Sequence, residues 1–185
     1  MRFVKFIYNA SSGNGRFGHA LDQIVSIYQK RGYSLIPYRL TFDKDEAETM
    51  VDDIENFCHH LLIAGGDGTI NYVVNVLQTK GIKTPIAVLP AGTANDFAGL
   101  LGMPDSIPTA CRAILSGEMR EIDLARVNDL YFVNVFSCGL FTDVSQKTPT
   151  RLKHTFGKFA YYFSGMQEFP SFKKLQITVT SQGKE

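Results

Sequence analysis

The sequence predicts an α/β protein: a doubly wound parallel sheet over residues 1–120, followed by the start of a mostly antiparallel unit over residues 121–185. Short apolar runs bounded by glycine, proline and polar residues alternate with segments of helical period, the pattern of strand–helix–strand units. Three of these runs end in loops of small and polar residues, after Tyr8, after Ala64 and after Leu89. Beyond about Gly117 the helical period gives way to alternation. It is cleanest where Leu175, Ile177 and Val179 interleave with Gln176, Thr178 and Thr180.

Phe3 to Tyr8 reads as the first strand and runs into the polar loop Asn9 to Arg16. Phe17, Leu21, Ile24 and Tyr28 then recur on one helix face, and Gly32 stands where a helix ends. Tyr33 to Leu40 is a second strand, in which Pro37 argues for an edge or irregular position because it cannot donate to a ladder. Asp43, Asp45 and Glu46 crowd the next helix start, where acids suit the dipole. Ala47, Met50, Val51, Ile54 and Phe57 give that helix its apolar face. Leu61 to Ala64 is apolar without alternation, as expected for a strand covered on both faces. A helix over Ile70 to Gln78 follows, with Thr69 as its expected cap. Ile86 to Leu89 is the next buried strand. A short helix after it stops near Gly102-Met103-Pro104. Ser106 to Leu115 forms one more helix, with Ser106 as cap, Pro108 in the first turn and Gly117 past its end. Glu121 to Val127, Tyr131 to Ser137 and Lys173 to Thr180 read as strands of the second unit, and Gly157 to Phe163 as a short aromatic helix between them.

Composition narrows the function classes. The 185 residues hold 19 Lys and Arg against 18 Asp and Glu, a net charge of +1, with the two signs interspersed. No basic stripe marks a nucleic-acid partner. The first eight residues are too short and too interrupted for a signal peptide, and no apolar run approaches a membrane span. Cys58, Cys111 and Cys138 are isolated in apolar contexts, which reads as reduced thiols in the cytoplasm. His19, His59, His60 and His154 show no metal-ligand spacing. Arg151, Lys153, His154 and Lys158, interleaved with Phe156, Phe159, Tyr161, Tyr162 and Phe163, read either as a patch for a lipid surface or as a solvated loop beside an aromatic core. An exposed sheet edge would offer a pairing surface to a second copy of the chain.

The chemistry is concentrated in Ala64-Gly65-Gly66-Asp67-Gly68-Thr69-Ile70-Asn71. A glycine turn between a buried strand and a helix presents backbone N–H groups and a helix N-terminus, which suits phosphate. It is neither the dinucleotide-binding glycine pattern nor the P-loop, since no Gly-Lys-Ser/Thr follows. A carboxylate at Asp67 would repel phosphate, unless it holds a cation such as Mg²⁺ or accepts a proton from an attacking hydroxyl. The bland alternative is a tight strand-to-helix turn in which Asp67 is a local cap. Because all three polar loops follow strands of one parallel sheet, they are expected at the same carboxyl edge, where such sheets bind ligands.

Three stretches together, Asn9-Ala10-Ser11-Ser12-Gly13, Gly65 to Asn71 and Leu89-Pro90-Ala91-Gly92-Thr93-Ala94-Asn95-Asp96-Phe97, resemble the diacylglycerol kinase catalytic domain family, the bacterial soluble lipid kinases and their sphingosine- and ceramide-kinase relatives. Ala10 stands in place of that family's proline, and Gly99 where an arginine is common. Ile122-Asp123-Leu124, Tyr131 to Asn134 and Gly157 to Tyr161 resemble later blocks, whereas Ser137 to Phe141 departs from the usual glycine-rich form. The resemblance implies a phosphofructokinase-like α/β domain followed by a β-sandwich domain, with ATP in the cleft and its γ-phosphate passed to a lipid hydroxyl. Asn9, Ala10, Ser11, Ser12, Gly13, Thr41, Gly65, Gly66, Asp67, Gly68, Thr69, Ile70, Asn71 and Thr93 would line the nucleotide. Gly92, Asn95 and Asp96 would lie at the cleft, and Asp67 would organise Mg²⁺ as the candidate catalytic residue. It further implies a lipid substrate, transient contact with a membrane surface, and a proton acceptor late in the sandwich. The chain stops before that region, so a truncated form is expected. The alternatives are a phosphotransferase like NAD kinase, which shares the Gly-Gly-Asp-Gly turn, and a nucleotide-binding module without catalysis.

Overall fold

The computed structural model describes residues 2–12, 17–43, 45–52, 54 and 58–136, except for the side chains of residues 17–19. The chain divides into two compact units, Met1–Val135 and Phe136–Glu185. The expected strands at residues 173–180, the aromatic helix at 157–163, Ser137, Gly13, Cys138 and the basic-aromatic stretch at 151–163 lie outside the described residues.

The elements follow the predicted alternation. β1 (Arg2–Tyr8) leads to α1 (Phe17–Gln29), β2 (Tyr33–Arg39), α2 (Glu46–Val51), β3 (Cys58–Gly65), α3 (Asp67–Lys80), β4 (Ile86–Pro90), α4 (Asp96–Leu100) and α5 (Ile107–Ser116). A short pair, β5 (Ala125–Val127) and β6 (Leu130–Phe132), completes the described chain. β1 to β4 form one all-parallel sheet in the order β2-β1-β3-β4. The chain starts in the middle, steps outward to β2, then crosses back over β1 to β3. The order therefore reverses between β1 and β3, which opens a crevice at their carboxyl ends. β2 is an edge strand, and so Pro37 costs the ladder nothing on its outer side.

The apolar run at Leu61–Ala64 has a simple cause. Leu61 and Ile63 face one core with Ile7, Val88, Met50, Ile70 and Val73, whereas Leu62 and Ala64 face another with Val4, Phe6, Leu89, Ile24 and Tyr28. Helices α2, α3 and α4 pack against the first face and α1 and α5 against the second. Because every β3 side chain from Leu61 to Ala64 is fully buried, truncating one to alanine would cost about 2–5 kcal/mol for a leucine.

Helix boundaries follow local chemistry, with two corrections. Gly32 at φ +77° and Gly81 at φ +71° take the left-handed positions just past α1 and α3. α3 starts at Asp67, with Gly66 as its N-cap, so Thr69 lies inside the first turn and is not the cap. Its hydroxyl is bound elsewhere, accepting from Asn9. Ser106 does sit at the N-cap of α5, but with no side-chain capping bond. Its Oγ accepts instead from Thr109 Oγ1 at 3.2 Å. The antiparallel strands are also shorter than their sequence reading: Glu121 to Leu124 pair with no strand among the described residues.

β1 and β3 slip by one residue between Phe3↔Cys58 and Val4↔His60, leaving His59 as the bulged residue. The bulge sets His59 Nδ1 2.9 Å from His60 Nδ1, and His60 Nε2 3.4 Å from the Tyr28 hydroxyl. This cluster sits at the amino end of β3, opposite the loop edge. Burial pushes the His60 imidazole down to about 4, aided by His59, and pushes the Tyr28 phenol up. Both groups are therefore neutral core members.

Candidate functional site at the carboxyl edge of the sheet

The three polar loops meet where the strand order reverses. Asn9 N–H donates to Ala64 O at 3.0 Å, extending the β1–β3 ladder one residue past Tyr8. Its side chain then performs two tasks. Oδ1 accepts from Ser11 N–H at 2.9 Å, curling the loop, and Nδ2 donates to Thr69 Oγ1 at 3.1 Å, tying that loop to the glycine turn. Thr69 is buried, and a Cβ on Gly65 would stand 2.5–2.6 Å from its side chain. Position 65 is glycine because the threonine occupies that volume.

The second contact joins the glycine turn to the loop after β4. Ala91 N–H donates to Gly65 O at 3.2 Å. The backbones of Gly66 and Gly92 then cross so closely that a Cβ on Gly92 would lie 2.3 Å from Gly66 Cα. Asn95 takes the left-handed conformation (φ +54°) and closes its own turn: Oδ1 accepts from Gly92 N–H at 2.7 Å and Nδ2 donates to Gly92 O at 3.0 Å. Asp67 completes the junction. Its Oδ1 accepts from Phe97 N–H at 2.9 Å and its Oδ2 from Asp96 N–H at 3.2 Å. The carboxylate thus caps α4, a helix 29 positions further along the chain, and cancels part of its N-terminal partial charge.

The remaining sequence-predicted residues differ in how open they are to a ligand. Thr93 and Asp96 are exposed on the rim, Gly68 is exposed in the first turn of α3, and Ala10 and Ser12 are half-buried in the first loop. Ile70 is fully buried in the core and its N–H is bonded to Gly66 O at 3.1 Å. Asn71 lies half-buried one turn into α3, where its carbonyl accepts from Asn75. Thr41 follows β2, whose ladder extends through Leu40 N–H to Tyr8 O at 2.9 Å, so its loop lies beside the Asn9 loop.

Two residues central to this geometry carry no motif signal. Glu46, legible in the sequence only as an acid at a helix start, is buried at 5% exposure. Its Oε1 accepts from Thr41 N–H and Oγ1, and its Oε2 accepts from Phe42 N–H at 2.7 Å. Burial raises the pKa of the Tyr72 phenol, with the Glu46 carboxylate adding to the effect. Asn75 reaches across to β6: Nδ2 donates to Tyr131 O and Oδ1 accepts from Tyr131 N–H, both at 2.8 Å. An amide side chain thereby acts as a strand partner, and only the fold reveals it.

In chemical terms, the edge presents an α3 N-terminus without a side-chain cap, small residues, and the Asp67 carboxylate. Anionic phosphate suits the first two. Among the described residues no three His, Cys, Asp or Glu side chains are grouped to hold a metal. A cation beside Asp67 would therefore complete its shell with phosphate oxygens and water, the coordination habit of Mg²⁺. No helix among the described residues is long and apolar enough to cross a membrane.

A four-stranded parallel sheet whose order reverses between β1 and β3 defines a doubly wound α/β domain, and comparison with known proteins specifies which kind. The family described as "Diacylglycerol kinase catalytic domain" matches residues 4–127. The chain belongs to that family. It is 34% identical over 185 residues to a diacylglycerol kinase of Bacillus subtilis (strain 168), covering all of this chain and 61% of that protein. It is 35% identical over 183 residues to a diacylglycerol kinase of Staphylococcus aureus (strain bovine RF122 / ET3-1), covering 97% of this chain and 57% of the relative. A crystal structure of a diacylglycerol kinase from Bacillus anthracis strain Sterne aligns with a TM-score of 0.69 at 26% identity, over 97% of this chain and 56% of that one. The chain thus spans about 60% of the length of the curated relatives it matches.

Proposed function

We propose that this chain is the nucleotide-binding part of an ATP-dependent lipid kinase, which phosphorylates the hydroxyl of diacylglycerol or a similar neutral lipid. The observation that carries the reading is the single junction formed by Asn9–Thr69, Gly66–Gly92 and Asp67–Phe97, which merges all three family stretches at the crevice of the sheet. In this reading residues 1–120 hold the nucleotide and residues 121–185 begin the domain that receives the lipid at a membrane surface.

The chain's own groups act mainly by placement, since phosphoryl transfer depends on positioning and charge neutralisation. The α3 N-terminus and the N–H groups of the glycine turn hold the ATP phosphates. Ser11, Ser12 and Thr93 offer hydroxyls and small surfaces around them, and Thr41 lines the site with its hydroxyl held by carboxylates. Asp67 would hold Mg²⁺, which when bound neutralises charge on the transferring phosphate. Asp67 keeps lone pairs for that task while accepting two backbone N–H groups, because a carboxylate has about four acceptor sites.

The test is phosphate transfer from radiolabelled Mg-ATP to dioleoylglycerol in mixed micelles, with NAD⁺ as the competing acceptor, alongside calorimetry with Mg-ATP. Labelled phosphatidic acid is expected. Transfer to NAD⁺ with none to lipid would replace the lipid acceptor by a dinucleotide. Binding of Mg-ATP without transfer to either acceptor would reduce this chain to a nucleotide-binding module.

A further inference from the structure

We propose that Phe42, fixed by Glu46 in a left-handed turn just past β2, is the platform on which the base of the bound nucleotide stacks. The site would thereby favour purine over pyrimidine nucleotides. The inference rests on the nucleotide site argued above and adds to it a base-reading residue and its support.

Phe42 has φ +65°, a conformation that penalises a bulky side chain and that glycine or asparagine would adopt freely. An aromatic residue is held there only when its surroundings enforce it. Glu46 supplies the enforcement. Its buried carboxylate accepts the successive N–H groups of Thr41 and Phe42 on separate oxygens, and the Thr41 hydroxyl at 3.0 Å as well. The hydrophobic core gains nothing from the arrangement. Phe42 belongs to neither core cluster and remains 50% exposed.

The arrangement does place a half-open aromatic ring at the carboxyl edge. The ring stands edge-on to Tyr72 of α3, with centroids 5.3 Å apart and planes at 65°. Tyr72 lies five residues past the start of α3, about 7.5 Å along the axis at 1.5 Å per residue. The ring is thereby packed against the helix whose N-terminus forms the phosphate-holding turn. Thr41, in the same clamp, immediately precedes Phe42 and follows the Leu40–Tyr8 bond that brings this loop beside the Asn9 loop. A half-exposed ring pinned beside that helix suits base stacking, which tolerates any base but strengthens with the larger purine face.

Glu46 is a positioning residue in this scheme, and glutamine cannot replace it. Either amide orientation turns an NH₂ donor against one of the two backbone N–H donors.

The experiment measures dissociation constants of the full chain for ADP, CDP and inorganic tripolyphosphate by calorimetry, in wild type, Phe42→Gly, Phe42→Tyr and Glu46→Gln. Phe42→Gly is the deciding variant, because it relieves the strained backbone and should melt no lower than wild type. It is expected to weaken ADP about tenfold and narrow the ADP/CDP ratio towards one. Tripolyphosphate, which has no base, should bind as before. Phe42→Tyr should keep wild-type affinity, and Glu46→Gln should resemble Phe42→Gly for ADP. Unchanged ADP affinity in Phe42→Gly, with wild type binding both ligands, would overturn the stacking role and leave the nucleotide site standing. Failure of wild type to bind either ADP or tripolyphosphate would overturn the nucleotide site itself.

Discussion

Replacing Asp67 by asparagine changes one atom in the candidate site and tests the junction directly. Both carboxylate oxygens accept backbone N–H groups, from Phe97 at 2.9 Å and from Asp96 at 3.2 Å. The amide must therefore turn its NH₂ towards one of them, and the longer, exposed bond from Asp96 is the one it would forfeit. Hydrogen bonds to a charged acceptor contribute about 1.5–3 kcal/mol when dry, a range that the half-exposure of Asp67 reduces. The lost charge at the α4 N-terminus adds about 0.3–1 kcal/mol. Together these predict a loss of about 2 kcal/mol, equivalent to a melting shift of roughly 4–8 °C for a chain of this size. Asp67→Ala, which loses both bonds, should fall further. The assay is thermal melting paired with amide exchange at Phe97, whose protection should drop in both variants. An Asp67→Asn protein with wild-type melting and unchanged Phe97 exchange would refute the view that this carboxylate holds the two loops together. A normal melt with lost Mg-ATP binding would assign the side chain to the ligand alone.

Three other sites give sharp expectations. Gly92→Ala drives a methyl group to 2.3 Å from Gly66 Cα, so the loops must separate at a cost of about 3 kcal/mol. A wild-type melt and wild-type nucleotide affinity in that variant would show the crossing to be dispensable. Asn75→Ala removes the amide that pairs with the backbone N–H and C=O of Tyr131, worth about 2 kcal/mol net. Exchange at the Tyr131 amide should accelerate about 30-fold with the parallel sheet unaffected, and unaltered exchange would contradict the pairing. The His60 imidazole titrates near 4 in the fold, below its ordinary 6.5, so the unfolded chain binds the proton more readily between those values. Its contribution to stability is complete above about pH 6.5 and is lost as pH falls towards 4, a loss of ~2–3 kcal/mol. Denaturant titrations across that window should show a steeper slope for wild type than for His60→Gln, and equal slopes would sink the assignment.

Much of the fold was legible because its causes are local. The covered run Leu61–Ala64, the edge-strand proline at position 37 and the left-handed Gly32 each announce their role through the chemistry of a few neighbouring residues. The three loops could be assigned to one edge without coordinates, since parallel strands all deliver their carboxyl ends to the same side. The misjudged helix start at Thr69 shows the limit of that local view. Thr69 has the chemistry of a cap, but Asn9, sixty residues away, claims its hydroxyl.

What only the tertiary structure decided is how these pieces bind one another. No spacing rule predicts that Asp67 caps the helix beginning at Asp96, that Gly66 and Gly92 touch, or that Glu46 clamps a strained Phe42. Each depends on the β2-β1-β3-β4 order, which brings distant loops within hydrogen-bonding range. The sequence by itself determined the strands, the phosphate-suited glycine turn and the family resemblance, because these are written in short-range patterns of size, polarity and backbone freedom. The fold determined that the Asp67 carboxylate is a bridge between loops, because the identity of a hydrogen-bond partner is set by position in space.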